Sequence, residues 1–190
     1  MTDKHLEIFS NVATILEKRA PKEADLNIRV NHTKGVYKLC KDLGNKLQLD
    51  QEDMEVVLIS ALFHDITKFC KADHADTAAL MYLISTEAKN HDKFFNDRVY
   101  GTIRAHSNKK ERYNGYTTTQ KILIDCDRIE KYSLLSTLER LKSKHKNCSH
   151  IQIKQHLRKR IQKAELEKHL LYFEESKKKL DLFISELLSY

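Results

Sequence analysis

Apolar residues recur along most of this chain at the three- and four-residue spacing of amphipathic helices. Val36, Leu39 and Leu43 form one such face, and His32 lies one helical turn before Val36 on the same side. No stretch alternates apolar and polar residues in the way that predicts a half-buried strand. The pattern therefore predicts an all-α protein.

The pattern predicts six helices, with one or two more in the C-terminal part of the chain. The six cover about 3–19, 27–43, 50–65, 73–86, 92–106 and 117–141. Gly44 is expected to end the second helix, because glycine adopts the left-handed conformation common at helix C-termini. Asp50 is the predicted N-cap of the third helix, with Asp53 in the capping-box position.

The composition is that of a globular chain without a membrane segment. Of 190 residues, 41% are hydrophobic and 32% charged, which suits one domain with its own core. The longest apolar runs are far shorter than the roughly 20 residues of a membrane helix. The N-terminal stretch is a charged amphipathic helix without the apolar core of a signal peptide, so we expect a cytoplasmic protein. The four cysteines lack paired spacing, which argues against a zinc ribbon or a disulfide framework.

The net charge of +7 is concentrated in one segment. Residues 141–170 carry nine Lys and Arg against two Glu, which equals the whole excess. Such a segment predicts either a surface that binds nucleic acid or a phosphorylated ligand, or the solvated face of a helix. The sequence leaves both interpretations open.

A polar pair interrupts the apolar stretch LISALFHDITKFC. His64 and Asp65 follow residues that read as buried, and burying a polar group without a partner costs on the order of 1–3 kcal/mol. His32 lies on an inner helical face, and Asp125 and Asp127 lie in the apolar stretch KILIDCDRIEKY. Histidines and carboxylates together suit a divalent transition metal such as Mn, Fe, Co, Ni or Zn.

Helix geometry limits which of these side chains can share one ion. Neighbours in a helix point about 100° apart, so His64 and Asp65 can share an ion only if the helix ends or loosens there. Asp125 and Asp127 are about 200° apart around a helix, so only one of them can face the ion. Local periodicity does not decide between the two.

These residues resemble a known pattern. His32, the His64–Asp65 pair and a late aspartate resemble the H…HD…D motif of the HD-domain metal-dependent phosphohydrolases. The stretch ALFHDI resembles the family's ALLHDI, IRAHS is similar to I..HS, and TTTQKILIDCDRIEKYSLLSTLER is similar to T.E..i..DADRLDA.GA.G..R. The last block is typical of small single-domain bacterial members with nucleotide pyrophosphatase or phosphatase activity. The resemblance covers about 26–140.

The resemblance implies a helical bundle around one or two metal ions. It implies one HD-type domain over 1–190, with its core at about 26–140, an N-terminal helix at 3–19 and basic helices over 141–190. The implied ligands of the first ion are His32, His64, Asp65 and Asp127. His74 and His106 are implied as ligands of a second ion or as phosphate contacts, with surface or capping histidines as the alternative.

The resemblance further implies a metal-dependent phosphohydrolase that attacks a nucleotide or nucleoside polyphosphate with a metal-activated water. The implied catalytic residues are Asp65, Lys68 and His106. Lys68, Lys109, Arg112 and Arg128 are the candidate phosphate-binding residues because they lie close in sequence to the implied ligands, and solvated side chains are the alternative for Lys68, Lys109 and Arg112. Gly35 departs from the family pattern, in which many members carry Arg, and so do residues 131–134, which leaves the substrate open.

A binding module is the alternative function. In it the metal site would be vestigial, and nucleic acid or a signal nucleotide would bind through the basic segment 141–170. Either a monomer or a homodimer agrees with the sequence.

Overall fold

The computed structural model describes residues 1–70, 73–107, 112–144 and 149–190. Within these ranges the chain is helical and contains no strand, as predicted. The helices are α1 (Asp3–Glu17), α2 (Glu23–Lys46), α3 (Gln51–Phe63), α4 (His74–Leu83), α5 (Lys93–Ala105), α6 (Thr118–Glu130), α7 (Leu134–Lys144), α8 (His150–Glu167) and α9 (Glu174–Ser189). Short 3-10 turns cover Ala88–Asn90 and Lys168–Leu170. None of the helices in the described ranges has both the length and the apolar character needed to cross a membrane.

Polar caps fix where several helices begin. Asp50 accepts a hydrogen bond of 2.7 Å from the Asp53 N–H at the start of α3, which confirms the predicted cap. Asp92 accepts one of 2.8 Å from Phe95 at the start of α5. These side chains satisfy N–H groups that have no partner inside the first turn of a helix.

The prediction that Gly44 ends α2 is wrong. The helix continues to Lys46, no glycine in the described residues has a positive φ, and Gln48 takes the left-handed conformation with a φ of 54°. Gly44 instead makes room for a neighbour, since a Cβ there would lie 2.7 Å from Cε of Met54. The glycine therefore serves packing and not helix termination.

The predicted long helix over 117–141 is divided in two. Helix α6 ends at Glu130 and α7 begins at Leu134. Ser133 accepts a hydrogen bond of 3.2 Å from the Ser136 N–H, which caps the new helix. The break lets α7 turn away from α6 and pack against α2 and α8.

Helix α3 lies at the centre of the bundle. All eight residues from Val56 to Phe63 are buried, so this helix is covered on every side, as expected of a core helix. It contacts α1, α2, α4, α5 and α6. The end of α3 consequently delivers the residues that follow Phe63 into the interior of the protein.

The two ends of the chain attach to this core. Helix α1 packs Ile8, Val12 and Leu16 against α2 and α3. Helix α9 packs against α6 and α2. These contacts cover the outer faces of α2, α3 and α6. The helices that contact α3 and also carry polar residues are α2, α4, α5 and α6.

Candidate metal centre

Four donor atoms from three helices meet at the end of α3. His32 Nε2 lies 3.1 Å from Asp127 Oδ1 and 3.7 Å from Asp65 Oδ2. His64 Nε2 lies 3.3 Å from His32 Nε2. The same atom lies 3.9 Å from Asp65 Oδ2 and 4.0 Å from Asp127 Oδ1. Neighbouring ligands bound at about 2.1 Å to a six-coordinate ion are roughly 3 Å apart, so these separations are of the right size for one shared ion.

The helix ends allow this convergence. His64 is the C-cap of α3, and the chain continues in turns, so Asp65 is not held to the 100° helical offset from its neighbour. The end of α3 at this pair was predicted from the sequence and is confirmed. His32 comes from the middle of α2, and Asp127 comes from α6. All four side chains are buried.

Hydrogen bonds orient both imidazoles. The His64 Nδ1–H donates to the Ala61 carbonyl at 2.8 Å, and since a carbonyl only accepts, Nε2 carries the lone pair. The His32 Nδ1–H donates to the Glu130 carboxylate in the same way. Partners of this kind fix the tautomer and ring orientation of metal-binding histidines. Burial lowers the pKa of His64 well below its usual value, which favours the neutral form that binds metals.

A second group of donors shares Asp65 with the first. His74 Nε2 and His106 Nε2 each lie 3.7 Å from Asp65 Oδ1, and they lie 3.2 Å from one another. Lys68 Nζ lies 3.2 Å from the same oxygen and 3.0 Å from His74 Nε2. The two carboxylate oxygens of Asp65 thus face two different groups, which is the arrangement expected of a residue that bridges two ions.

The residues present fit a pair of divalent cations. Asp65 Oδ1 is buried, and the Lys68 ammonium at 3.2 Å and the His74 and His106 nitrogens at 3.7 Å surround it. Despite burial, the pKa of Asp65 lies well below its usual range because His64, His106 and other basic groups favour the carboxylate. Counting Asp65 in both, the first group has four histidine or carboxylate donors and the second has three. Such a mixed nitrogen and oxygen set favours a transition metal over Mg or Ca.

Two residues at the centre were not predicted from the sequence. Arg29 Nη1 lies 3.0 Å from Asp65 Oδ2. Glu130 is buried and holds His32. Helical spacing in the sequence could have indicated both residues. Arg29 lies three residues before His32 and Glu130 lies three residues after Asp127, so each is on the helix face that carries a ligand.

The structure separates Asp125 from Asp127. Asp125 accepts hydrogen bonds of 3.0 Å from the Tyr172 N–H and 3.1 Å from the Phe173 N–H, just before α9. Burial raises the pKa of Asp125 to about 6, although these donors oppose the shift. Asp125 therefore attaches the C-terminal segment to α6, while Asp127 faces His32.

Two of the predicted phosphate-binding residues have contacts with the C-terminal segment and not with the donor groups. Arg128 is buried and donates to the Leu170 carbonyl at 2.8 Å, so this guanidinium contacts the C-terminal segment. Arg112 lies with its guanidinium 5.2 Å from the centre of the Tyr172 ring. Lys109 lies outside the described residues. Of the predicted phosphate contacts that the structure describes, Lys68 is the one that lies beside the donor groups.

The fold and the donor groups are those of a helical protein with a metal site, and comparison with known proteins agrees with this class. Residues 29–132 match the HD domain family, which is more than half of the chain. The chain therefore belongs to the HD domain family, whose domains bind divalent metals. It also shares its fold with a predicted HD superfamily hydrolase from an uncultured Thermotogales bacterium, whose crystal structure extends to 1.45 Å resolution. The TM-score is 0.66 at 18% identity, over 95% of this chain and 87% of that one. A comparison with curated proteins finds no match.

Proposed function

We propose that this protein is a metal-dependent phosphohydrolase that acts on a nucleotide or nucleoside polyphosphate. The observation that carries the proposal is Asp65, whose two buried oxygens each face a separate group of histidine nitrogens. His32, His64 and Asp127 would hold one ion with Asp65, and His74 and His106 would hold the second. Bound divalent cations lower the pKa of water towards neutrality and polarise phosphoryl oxygens.

The exposure of the side chains indicates where a substrate would approach. His32, His64 and His106 have no more than 3% exposed side chain, whereas Lys68 has 29% and His74 has 27%. Arg29, at 20%, lies on the Oδ2 side of Asp65. An anionic group entering from this side would meet cationic side chains next to the donor groups. Fixed cations of this kind offset the charge that develops on a phosphoryl group during transfer.

Lys68 is the proposed contact to the reacting phosphoryl group. Its ammonium lies within 3.2 Å of both Asp65 Oδ1 and His74 Nε2, so it reaches the second donor group without being buried. His106 is held through its Nδ1 by the Ile103 carbonyl, which directs Nε2 into the same group. The nucleotide part of the proposal is supported by the similarity of the segment around 117–140 to bacterial members that cleave nucleotides.

The alternative is a binding module whose metal site is vestigial. A vestigial site usually lacks one of its ligands, and here all four proposed first-group positions carry a histidine or an aspartate that faces the others. In the basic segment, Lys154, Arg158 and Lys159 of α8 are exposed. Salt-sensitive nucleic-acid binding that survives loss of His64 and Asp65 would favour the module.

A hydrolysis panel tests the proposal. Metal-stripped protein would receive Mn, Fe, Co, Ni or Zn and then nucleoside mono-, di- and triphosphates, with products separated by chromatography. Asp65→Asn is the test variant. Asp92→Asn is the matched control, because Asp92 belongs to a second His-Asp pair but caps α5, a role that asparagine also fills. We expect products with the wild type and Asp92→Asn only. Equal turnover by Asp65→Asn, or no turnover with any metal, would contradict the proposal.

A further inference from the structure

A small cavity lies next to the first donor group. It has a volume of about 160 Å³ and opens between the N-terminal half of α2, the turns after α3 and the end of α7. The residues that line it are Asp25, Ile28, Arg29, Phe69, Arg140 and Ser143. Arg29 joins the cavity to the metal centre, because its Nη1 lies 3.0 Å from Asp65 Oδ2.

Two guanidinium groups face this cavity. Arg140 is partly buried and forms no ion pair with the described residues, and its Nε has no hydrogen-bond partner there. Burial is the main cause that lowers the pKa of Arg140, and the charge of Arg29 lowers it further, while the carboxylates of Glu130, Asp65 and Glu139 act in the opposite direction. Two like charges at one cavity repel each other, and an anion placed between them would reduce that repulsion.

One carboxylate also lines the cavity. Asp25 is the acidic residue there, and neither Arg29 nor Arg140 forms an ion pair with it in the described part of the chain. Arg29 interacts with Asp65 instead. The fork of Arg140 is thus available to a planar or tetrahedral anion, the ligand that guanidinium groups bind best.

The size of the cavity limits the ligand. A single water needs roughly 10–15 Å³ and pockets for drug-sized molecules start at about 300 Å³. A cavity of about 160 Å³ is therefore large enough for a phosphate group and smaller than a pocket that encloses a drug-sized ligand.

We propose that this cavity binds the phosphate next to the one held at the metal centre, so that the substrate contains a diphosphate or a longer phosphate chain. The inference rests on the proposed function, because the metal centre sets which phosphate is the reacting one. Arg29 would contact the oxygens between the two phosphates, and Arg140 would contact the second phosphate. A monophosphate would leave Arg140 without its ligand.

Calorimetry with two phosphonates tests the subsite. Methylenebisphosphonate carries two phosphonate groups and cannot be cleaved between them, and methylphosphonate carries one. Both would be titrated into the Mn-loaded 190-residue chain at constant free Mn, with the Mn content of the protein measured afterwards. Arg140→Gln is the test variant. Arg98→Gln is the matched control, because Arg98 pairs with Glu52 and Asp53 outside the cavity.

We expect the wild type and Arg98→Gln to bind the bisphosphonate at least tenfold more tightly than methylphosphonate. Arg140→Gln should lower this ratio about tenfold and change the affinity for methylphosphonate by less than about twofold, as expected for loss of a charge-assisted contact. An unchanged ratio in folded Arg140→Gln would overturn the subsite. If Arg140→Gln does not fold, Ser143→Glu replaces it, since Ser143 is exposed at the cavity and a carboxylate there should repel the second phosphonate.

The two proposals fail in different ways. A bisphosphonate preference that depends on Arg140, together with no hydrolysis of any phosphate compound, would overturn the proposed function and leave the subsite. Hydrolysis that depends on Asp65, together with equal binding of both phosphonates, would overturn the subsite and leave the function.

Discussion

The Glu130 carboxyl group fills the space that a side chain at Gly35 would occupy. A Cβ at Gly35 would lie 2.8 Å from both Cγ and Oε1 of Glu130. The carboxylate can therefore pass α2 closely and accept the Nδ1–H of His32, while its other oxygen accepts a hydrogen bond of 2.5 Å from Ser136. Gly35, which departs from the family pattern, thus has a role in orienting a proposed metal ligand.

Gly35→Ala tests this relationship. The new methyl group would displace the Glu130 carboxylate and loosen the ring of His32. Changes in groups that orient a ligand typically cost 10–100-fold in metal affinity. We expect a loss of that size in Mn affinity, measured by calorimetry.

Gly101→Ala is the matched control. Gly101 also lies inside a helix, and its nearest contact for a Cβ is 3.5 Å, to Gln120 Nε2. Alanine should raise the free energy of unfolding there by about 0.5–1 kcal/mol and leave Mn affinity unchanged. Equal Mn affinity in the two variants would contradict the role of Gly35.

The two aspartates of α6 are expected to separate metal binding from stability. Asp127→Asn should lower Mn affinity at least tenfold, because Asp127 faces His32 at 3.1 Å. Asp125→Asn should keep Mn affinity and lower the free energy of unfolding by about 1–3 kcal/mol, because its amide would face the N–H groups of Tyr172 and Phe173. Calorimetry and urea unfolding of both variants would measure this. The reverse result would make Asp125 the ligand.

Loss of single histidines should remove one ion and not both. We expect two Mn ions per wild-type chain and one in His74→Ala, since His74 belongs to the group around Asp65 Oδ1. Asp65→Ala should bind neither ion tightly, because its two oxygens belong to different groups. Metal content after dialysis measures the outcome. His91→Ala is the control, since His91 contacts Glu87 at 2.8 Å and not the donor groups. Two ions retained by His74→Ala would contradict the second site.

The attachment of α1 should depend on pH through Glu55. A hydrogen bond from His5 and an ion pair with Lys4 lower the pKa of Glu55 from 4.5 to about 2. A lowered carboxyl pKa stabilises the folded state above the unfolded value, and this contribution is lost as the pH falls from about 4.5 towards 2. Glu55→Gln should therefore lower the free energy of unfolding by about 1–3 kcal/mol at pH 7, and by less as the pH falls below 4.5.

Urea unfolding at several pH values measures the effect of Glu55→Gln. Asp97→Asn is the control, because Asp97 is exposed and its ion pair with Lys93 should contribute less than about 1 kcal/mol. A difference between Glu55→Gln and the wild type that does not change between pH 7 and pH 3 would contradict the role of the carboxylate.

The sequence by itself determined the helical class and most helix starts. Apolar spacing is a local property, and a cap such as Asp50 acts within one turn, so both signals can be read without knowing the fold. The His64–Asp65 pair at the end of an apolar helix likewise indicated a buried polar site and a helix end at that point.

Only the tertiary structure decided which side chains meet. The choice between Asp125 and Asp127, the contact of Arg128 with Leu170 and the approach of Arg29 to Asp65 all depend on how α6, α9 and α2 pack. The same holds for Gly44 and Gly35, whose roles come from Met54 and Glu130 on other helices. Periodicity fixes the face on which a residue lies, but its partner is set by long-range packing, because the contacting residues are far apart in the chain.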